Sequence, residues 1–363
     1  MRLGIDVGRG LYGRGGVATY TRELLQALVE SRRVDEIVLF DLDRDSTRRD
    51  LFEHELGPLP AQVTVAPATR TELEALNLFH APGFAMPPAG APRHVFTLHD
   101  LTVLSHPHCH TLENRVRTLA SVSEALVRGA TMLAVSKATR EEAVRLLALP
   151  TESVEVVPPM LNPIFRVAGD RDADARAAAH LGVREPYVLA VASLEPRKNF
   201  GRLLDAWTSL GLTTGAHQLV VVAAEGWRQG RVRRRLERMT GDGSVVKIGH
   251  VPNDVLAALY RRANGFVFPS LAEGFGLPVA EAMACGAPVV ASRVSSLPEV
   301  CGEAGLLVDP ENADEIASAI ARLLGDQGLR RRLRDRGLER VRAFSREAVV
   351  PRLFEVYRRA AQH

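Results

Sequence analysis

Cysteine is scarce in this sequence of 363 residues, with three residues at Cys109, Cys285 and Cys301. An odd number of unevenly spaced cysteines in a chain of this length argues against a disulfide framework and favours a reducing cytosolic compartment. The sequence also has no run of about 18 apolar residues, and its first residues, MRLGIDVG, lack the pattern of an export signal. We therefore expect no membrane span and no signal peptide.

Lysine is also rare, since only Lys137, Lys198 and Lys247 contribute to the 46 basic residues. The formal net charge of +3 is too small to indicate binding to nucleic acid, but it is compatible with an acidic small substrate or an anionic membrane surface. A hydrophobic content of 46% in a chain of this length predicts a folded protein of two domains.

Short β-branched segments alternate with helical patterns, which is typical of parallel sheets with crossover helices. The first alternation runs from a strand at 2–7 to a strand at 154–157, and the second from a strand at 187–192 to a helix at 346–361. The proline-rich segment VVPPMLNP between them predicts a hinge. We therefore predict an α/β protein of two doubly wound units, with ligands bound at the carboxyl ends of the strands, in the cleft between the domains.

The segment SLAEGFGLPVAEAMACG carries two glutamates, Glu273 and Glu281, around a turn that contains two glycines. The preceding GFVFPS is predicted to be a buried strand, and Pro278 suits the first position of the next helix. The glycines let a ligand approach the backbone, while the first N–H groups of the helix form a seat for an anion. The pattern therefore predicts a phosphate-binding turn between two carboxylates.

Carboxylates beside an anion seat can accept hydrogen bonds from hydroxyls on either side of a phosphate group, which is the layout of a nucleotide sugar. There is a simpler interpretation for each glutamate. Glu281 could complement the helix dipole, an effect of about 0.3–1 kcal/mol, and Glu273 could be a solvated loop residue. Neither alternative explains both glutamates together with the glycines.

EGFGLPVAE, followed by AMACGAPVVAS, closely resembles the E-x7-E signature of the retaining glycosyltransferases of family 4, and the resemblance extends over nearly the whole chain. It implies a GT-B fold with two Rossmann-like domains that face each other across a cleft: residues 1–165 with the terminal helix 346–363, and residues 170–345. By this resemblance Glu273 binds hexose hydroxyls and Glu281 the ribose. The rest of the donor loop would be Gly274, Phe275, Gly276 and Leu277.

A basic pair, Arg197 and Lys198, follows a predicted buried strand in VLAVASLEPRKNF. Cations at the carboxyl end of a strand can neutralise a diphosphate leaving group, with about 1.5–3 kcal/mol for each charge-assisted hydrogen bond. A solvated Arg-Lys turn is the alternative. The segment resembles the Glu-Pro-Arg-Lys-Asn element of the family, which implies that both residues bind the donor diphosphate and that Lys198 is the stronger candidate.

The first strand is followed by the glycines Gly8, Gly10 and Gly13, the spacing of a nicotinamide-binding fingerprint. In that fingerprint the last glycines adjoin a helix, whereas here the helix is not expected to begin before Gly16. A simple turn is the alternative for these three glycines. The family resemblance instead assigns the donor diphosphate and sugar to the pair Gly15 and Gly16.

His99 and Asp100 stand at the end of a predicted strand in HVFTLHD. The family often has a histidine at this place near the transferred sugar, so His99 is a candidate to polarise a sugar oxygen or stabilise the reacting centre. Asp100 is a candidate for the acceptor side. The alternative is a His-Asp pair that caps the strand.

Several clusters imitate metal sites, but none has a complete set of ligands at the usual spacing. We interpret the first Asp-x-Asp as a strand end and the second as solvation of the hinge, and we predict no metal and no cofactor. The clusters are His106, His108, Cys109 and His110; Asp41-Leu42-Asp43; and Asp172-Ala173-Asp174.

Predicted helices at 113–128 and 230–239 carry arginine on one face and apolar residues on the other. Most such helices pack on their own domain, but some relatives reach lipid-linked acceptors through a basic surface. We therefore expect a cytoplasmic protein and consider peripheral contact with an anionic membrane at its inner face.

The resemblance implies transfer of a hexose from a nucleotide sugar, with retention and without a metal, to a saccharide, lipid-linked or small-molecule acceptor. The pattern is most similar to mannosyltransferase-type enzymes of O-antigen or exopolysaccharide assembly, which makes GDP-mannose the first candidate donor. A sugar-nucleotide epimerase of the same architecture and an NAD-dependent oxidoreductase are the alternatives.

Overall fold

A computed structural model describes the chain except residues 14, 45–46, 48, 89, 91–92, 212–216, 228–229, 242 and 363, with only the backbone at 9, 11, 51, 55 and 56. The chain forms two compact units. Unit 1 comprises Met1–Met160 and Phe344–His363, and unit 2 comprises Leu161–Ala343.

Unit 1 is built on a seven-stranded parallel sheet. Its strands are β1 (Arg2–Asp6), β2 (Glu36–Phe40), β3 (Val63–Val65), β4 (Leu78–Ala81), β5 (His94–Leu98), β6 (Thr131–Ala134) and β7 (Val154–Val156). Their order is β3-β2-β1-β4-β5-β6-β7, so the direction of winding reverses between β1 and β4. The helices are α1 (Gly8–Tyr12), α2 (Gly16–Ser31), α3 (Arg49–Leu56), α4 (Arg70–Glu74), α5 (Thr102–Ser105), α6 (Leu112–Val127) and α7 (Lys137–Leu147).

Unit 2 repeats this winding with a six-stranded parallel sheet in the order β10-β9-β8-β11-β12-β13. Its strands are β8 (Tyr187–Ser193), β9 (Gln218–Ala224), β10 (Val245–Ile248), β11 (Gly265–Phe268), β12 (Val289–Ser292) and β13 (Gly305–Val308). Its helices are α8 (Arg171–His180), α9 (Phe200–Ser209), α10 (Gly230–Gly241), α11 (Asn253–Arg262), α12 (Leu277–Ala284), α13 (Leu297–Cys301), α14 (Ala313–Gly325) and α15 (Gln327–Arg340). Short 3-10 turns in the chain are Pro107–Cys109, Thr151–Ser153, Pro196–Lys198, Gly302–Ala304 and Val341–Phe344.

The strands are continuous apolar runs in the sequence because they are buried in the cores of the two units. Helices cover both faces of a parallel sheet, so every position of β4, β11 and β12 is buried. Phe40, Phe79 and Phe96 belong to the core of unit 1, and Trp207 of α9 is fully buried in the core of unit 2. The predicted pair of doubly wound α/β units is confirmed.

The acidic run after the prolines is a helix, so its interpretation as hinge solvation was wrong. Asp170 precedes α8 and its carboxylate accepts the backbone N–H groups of Asp172 and Ala173 at 2.9 and 3.1 Å, which is an N-cap. Asp174 is buried, and both of its oxygens accept from the guanidinium of Arg261 at 2.6 Å. The helix is therefore held by its cap and by a buried ion pair.

The last helix of the chain, α16 (Arg346–Gln362), packs against α2, β4 and β5 of unit 1. At its start, the guanidinium of Arg346 donates to Glu23, Gln26 and Glu30 of α2 at 2.6, 2.8 and 2.5 Å. The terminal segment thus returns to the amino-terminal unit and is bound to it by charge-assisted hydrogen bonds.

A buried polar chain joins α16 to the sheet of unit 1. The hydroxyl of Tyr357 lies 2.5 Å from Nδ1 of His80, and Nε2 of His80 lies 2.8 Å from Oγ1 of Thr97. Thr97 in turn lies 3.2 Å from the hydroxyl of Tyr20 in α2. Burial lowers the pKa of His80 to about 3, so its ring is neutral and pairs one nitrogen as donor and the other as acceptor.

We predict that Tyr357→Phe lowers the free energy of unfolding by about 1–3 kcal/mol, because it leaves Nδ1 of His80 buried without its partner. Chemical denaturation should show a lower midpoint with an unchanged m-value. An unchanged midpoint would show that the hydrogen bond does not contribute to stability.

Candidate functional site

The charged residues of unit 2 meet where its strand order reverses. Strands β8 and β11 are neighbours in the sheet, and the windings on their two sides run in opposite directions. The loops that follow the two strands diverge at such a point and leave a crevice beyond the strand ends. The first loop carries Arg197 and Lys198, and the second carries Glu273.

Glu273 forms two ion pairs with the basic pair. Nη1 of Arg197 donates to its Oε2 at 2.7 Å, and Nζ of Lys198 donates to its Oε1 at 2.6 Å. Each of these side chains is about nine-tenths buried, with 8–12% exposed. Burial opposes ionisation of Glu273, but the charges of Arg197 and Lys198 outweigh it and hold the pKa of the carboxyl below its usual range.

Arg197 has further partners that Lys198 does not share. Its Nη2 donates to Glu195 at 2.9 Å, and its Nη1 also donates to the carbonyl of Ala272 at 2.6 Å. The ammonium of Lys198 lies 5.2 Å from the ring centroid of Phe268 and has three N–H donors, one of which Glu273 accepts. Arg197 is therefore built into the loop, whereas Lys198 keeps donors that a ligand can use.

Asn199 ends the 3-10 turn that presents the basic pair. Its backbone is left-handed at φ 60°, a conformation that asparagine tolerates better than most residues. Its amide donates to the carbonyls of Pro269 and Pro310 at 3.0 and 2.7 Å. The turn is thereby attached to the loops that follow β11 and β13.

The second glutamate, Glu281, lies in α12 and has a different environment. Its side chain is buried and accepts a hydrogen bond from the hydroxyl of Tyr260 at 3.2 Å. Burial raises the pKa of Tyr260 well above its usual value, so the phenol remains a donor. The helix begins at Leu277, one residue before the predicted start at Pro278.

The glycine turn between the two glutamates is closely packed. Gly276 has a left-handed φ of 101°, and a Cβ there would lie 2.6 Å from Cδ2 of Leu297. Gly274, Phe275 and Leu277 are also buried. Conformation and packing both require glycine at 276, and the turn leads directly into the amino terminus of α12.

In unit 1, the glycine pair lies at the start of α2. Gly15 is the N-cap of this helix with a φ of 116°, and α2 begins at Gly16, which is no earlier than expected. Among the described residues, a Cβ at either position would meet nothing within 4 Å, so their packing does not require these glycines. They leave the helix start open to a ligand.

Gly8 and Gly10 belong to the short helix α1 rather than to a turn. A Cβ on Gly8 would lie 2.9 Å from Oδ1 of Asp41, and one on Gly10 would lie 2.9 Å from Cγ2 of Thr21. Close packing thus explains these two glycines. The nicotinamide fingerprint is not formed, because α2 does not begin next to them.

His99 and Asp100 follow β5. Nε2 of His99 donates to the carbonyl of Pro82 at 2.7 Å, and its ring makes an edge contact with Tyr20 at 5.0 Å. Burial lowers the pKa of His99, which favours the neutral ring with a lone pair on Nδ1. Asp100 accepts from the backbone N–H and the hydroxyl of Thr102 at 2.9 and 2.6 Å, so it caps the start of α5.

The structure describes no group of three or more His, Cys, Asp or Glu residues that could hold a metal ion. In the histidine cluster, Nε2 of His110 lies 2.9 Å from Oγ1 of Thr102, and Cys109 is buried. Asp41 accepts from the hydroxyl of Tyr12 at 2.6 Å. Within the described parts of the chain, no helix has the length and apolar character needed to cross a membrane.

Sequence reasoning missed several residues that support the charged site. Glu195 pairs with Arg197, Tyr260 with Glu281, and Ser295 and Ser296 with the backbone around Glu273. Glu195 stands within the Glu-Pro-Arg-Lys-Asn element, so its position was the one available signal. The others are 21–23 residues from their partners along the chain.

Comparison with known proteins agrees with this architecture. Residues 14–163 match the family described as Glycosyltransferase Family 4, and residues 185–326 match the family described as Glycosyl transferases group 1. An O-antigen chain mannosyltransferase B from Escherichia coli is 32% identical, and the alignment covers 96% of this chain and 97% of that protein.

Solved structures show the same fold at low sequence identity. A sucrose-phosphate synthase from Thermosynechococcus elongatus has a TM-score of 0.74 and 24% identity, with 99% of this chain and 98% of that chain covered. HepE from Anabaena, solved in complex with UDP-glucose, has a TM-score of 0.75 and 19% identity, with both chains fully covered at 100%.

The chain therefore belongs to the group 1 and family 4 glycosyltransferases, and its two Rossmann-like units have the GT-B fold. The family resemblance and the fold class predicted from the sequence are confirmed.

Proposed function

We propose that this glycosyltransferase moves a hexose from a nucleotide-diphosphate sugar to a hydroxyl of a saccharide, lipid-linked or small-molecule acceptor, with retention of anomeric configuration and without a metal. The observation that carries the proposal is the buried contact of Glu273 with Lys198 and Arg197. It supports the proposal because a carboxylate can accept hydrogen bonds from sugar hydroxyls and the adjacent cations can pair with a diphosphate.

Different residues of unit 2 would bind different parts of the donor. Glu273 accepts hydrogen bonds from hexose hydroxyls, and Glu281, oriented by Tyr260, accepts those of the ribose. Lys198, with Arg197 beside it, neutralises the diphosphate, and the turn from Gly274 to Leu277 offers the N–H groups at the start of α12 to its oxygens.

The chemistry needs no basic residue of the protein. The acceptor hydroxyl attacks the anomeric carbon on the face that the diphosphate leaves, and its proton passes to an oxygen of the departing phosphate. Because the bond to the new oxygen forms on the same face of the anomeric carbon on which the bond to the phosphate oxygen breaks, the anomeric configuration is retained. Charge builds up on the diphosphate, where Lys198 would stabilise it.

Mannose is the proposed sugar, and GDP-mannose the proposed donor. The support is the similarity to an O-antigen chain mannosyltransferase over nearly the full length of both chains. The structural likeness to HepE, which was solved with UDP-glucose, supports a nucleotide sugar in general. We propose a saccharide acceptor by the same similarity.

Binding and transfer together test this function. Among GDP, UDP, dTDP and ADP, we expect GDP to raise the Tm by several degrees, because a ligand that binds only the folded state stabilises it.

With EDTA present, GDP-mannose and an oligosaccharide acceptor should give a product whose anomeric configuration, measured by NMR, is that of the donor. Loss of transfer that Mg²⁺ or Mn²⁺ restores would refute the metal-free reaction, an inverted product would refute retention, and donor consumption without acceptor would favour an epimerase.

We assign to His99 the role of accepting a hydrogen bond from a hydroxyl of a bound sugar through Nδ1, since its Nε2 donates to Pro82. The amide oxygen of asparagine can take the place of Nδ1, whereas that of glutamine reaches the place of Nε2. We therefore predict that His99→Asn retains about tenfold more kcat/KM than His99→Gln, the value of one hydrogen bond. The opposite order would contradict the assignment.

We also propose that α6 contacts an anionic membrane at the inner face of the cell membrane. Leu112, Val116 and Val127 are 70%, 59% and 88% exposed and lie within about 60° on one face of the helix. Arg115 and Arg117 lie in the same helix. Exposed apolar side chains beside cations are typical of helices that lie in a membrane interface.

The protein should therefore float with vesicles that contain phosphatidylglycerol at low salt, and less with vesicles of phosphatidylcholine alone. Replacing Leu112, Val116 and Val127 by serine should abolish flotation. The control is Ile164→Ser, which changes an exposed apolar residue of unit 2. This variant should float as the wild type does. Equal flotation of both variants, or none of the wild type, would contradict the proposal.

A further inference from the structure

Two serines hold the backbone of the loop that carries Glu273. The N–H of Glu273 donates to Oγ of Ser295 at 2.9 Å. The hydroxyl of Ser296 lies 3.0 Å from the carbonyl of Glu273 and 2.8 Å from that of Phe275, and donates to this pair of oxygens. The segment between β12 and α13 therefore contacts both polar backbone groups of the glutamate.

The two serines differ in burial and conformation. Ser296 is fully buried, with 0% of its surface exposed, so the carbonyls that it contacts are shielded from water on that side. Ser295 is exposed and has a left-handed φ of 51°, a conformation that serine rarely adopts. Its hydrogen bond from Glu273 compensates for this unfavourable conformation.

Arg197 of the basic pair also holds the backbone of this loop. Arg197 donates from its guanidinium to the carbonyl of Ala272 at 2.6 Å and accepts at its own carbonyl from the N–H of Leu271 at 2.8 Å. The loop that carries the acid is thus attached to the loops after β8 and β12. Both attachments constrain the backbone that carries the carboxylate.

We propose that Ser296, assisted by Ser295, is a positioning residue that sets the carboxylate of Glu273 for the hexose of the donor. The inference rests on the proposed function, because it assigns the sugar to Glu273. Ser296 acts through the backbone of the loop and does not touch the substrate. Its loss should therefore weaken the contacts to the sugar part of the donor more than those to the nucleotide part.

Ser296→Ala is the test variant, and Ser292→Ala is its matched control. Ser292 is equally buried at 0%, lies at the end of β12, and its hydroxyl has no hydrogen-bond partner among the described residues. Both changes remove one buried hydroxyl, but only the first removes contacts to the loop. With GDP-mannose as donor, Ser296→Ala should lower kcat/KM by about 10- to 100-fold, the scale of a displaced catalytic geometry. Its affinity for GDP should fall less than its affinity for GDP-mannose, and Ser292→Ala should retain kcat/KM and both affinities.

Hydrogen exchange supplies a readout that does not need activity. The backbone amides of residues 271–277 should exchange faster in Ser296→Ala than in the wild type. In Ser292→Ala their exchange rates should be those of the wild type. Ser295→Gly, which suits the left-handed backbone, should lose less activity than Ser295→Ala, which must keep the strained φ without the hydrogen bond.

The proposal is overturned if Ser296→Ala and Ser292→Ala have the same kcat/KM, if Ser296→Ala weakens GDP as much as GDP-mannose, or if exchange in 271–277 is unchanged. Absence of transfer by the wild type with every donor would instead overturn the proposed function. In that case the exchange experiment still decides whether Ser296 orders the loop.

Discussion

The buried pairing of Glu273 with Arg197 and Lys198 is the interaction on which the site of unit 2 depends. A carboxylate with so little exposure would tend to be protonated if it lacked partners, and two adjacent cations would repel each other without it. The three residues come from loops that follow the neighbouring strands β8 and β11. The charges of each loop are therefore compensated by those of the other. Glu195 adds a second carboxylate to the cluster, paired with Arg197 at 2.9 Å.

The fold creates this pairing by its strand order. In both sheets the first strand of the unit lies in the middle, and winding proceeds outward in two directions. The carboxyl ends of the two central strands are therefore where loops separate and where a ligand can enter. Unit 1 uses the same place differently: Asp6 ends β1, is buried, and accepts the N–H groups of Gly8 and Leu42 at 3.2 and 3.1 Å. Burial raises the pKa of Asp6 to about 7, so this carboxyl takes up a proton far more readily than an ordinary aspartate, whereas unit 2 has ion pairs at this place.

Much of the fold could be predicted from the sequence, because β-branched runs and proline breaks are local signals. The motif residues Glu273 and Lys198 could be named too, but their direct contact could not, since the two residues are 75 positions apart in the chain and meet only when β8 and β11 pair. Helix α8 was missed because its polar composition imitates a solvated segment, and because one of its stabilising partners, Arg261, lies 87 residues away. The roles of Ser295 and Ser296 have no local signature for the same reason.

The central claim is that Lys198 holds the departing diphosphate in place of a metal ion. Transfer kinetics of Lys198→Ala test it most directly, with Lys247→Ala as control, because Lys247 lies in the same unit and is 3.6 Å from the carboxylate of Glu225. The account predicts that kcat of Lys198→Ala falls by about 10²–10³, the range for removal of one charge stabiliser of the transition state, while the control keeps its rate. An unchanged kcat in Lys198→Ala would contradict it.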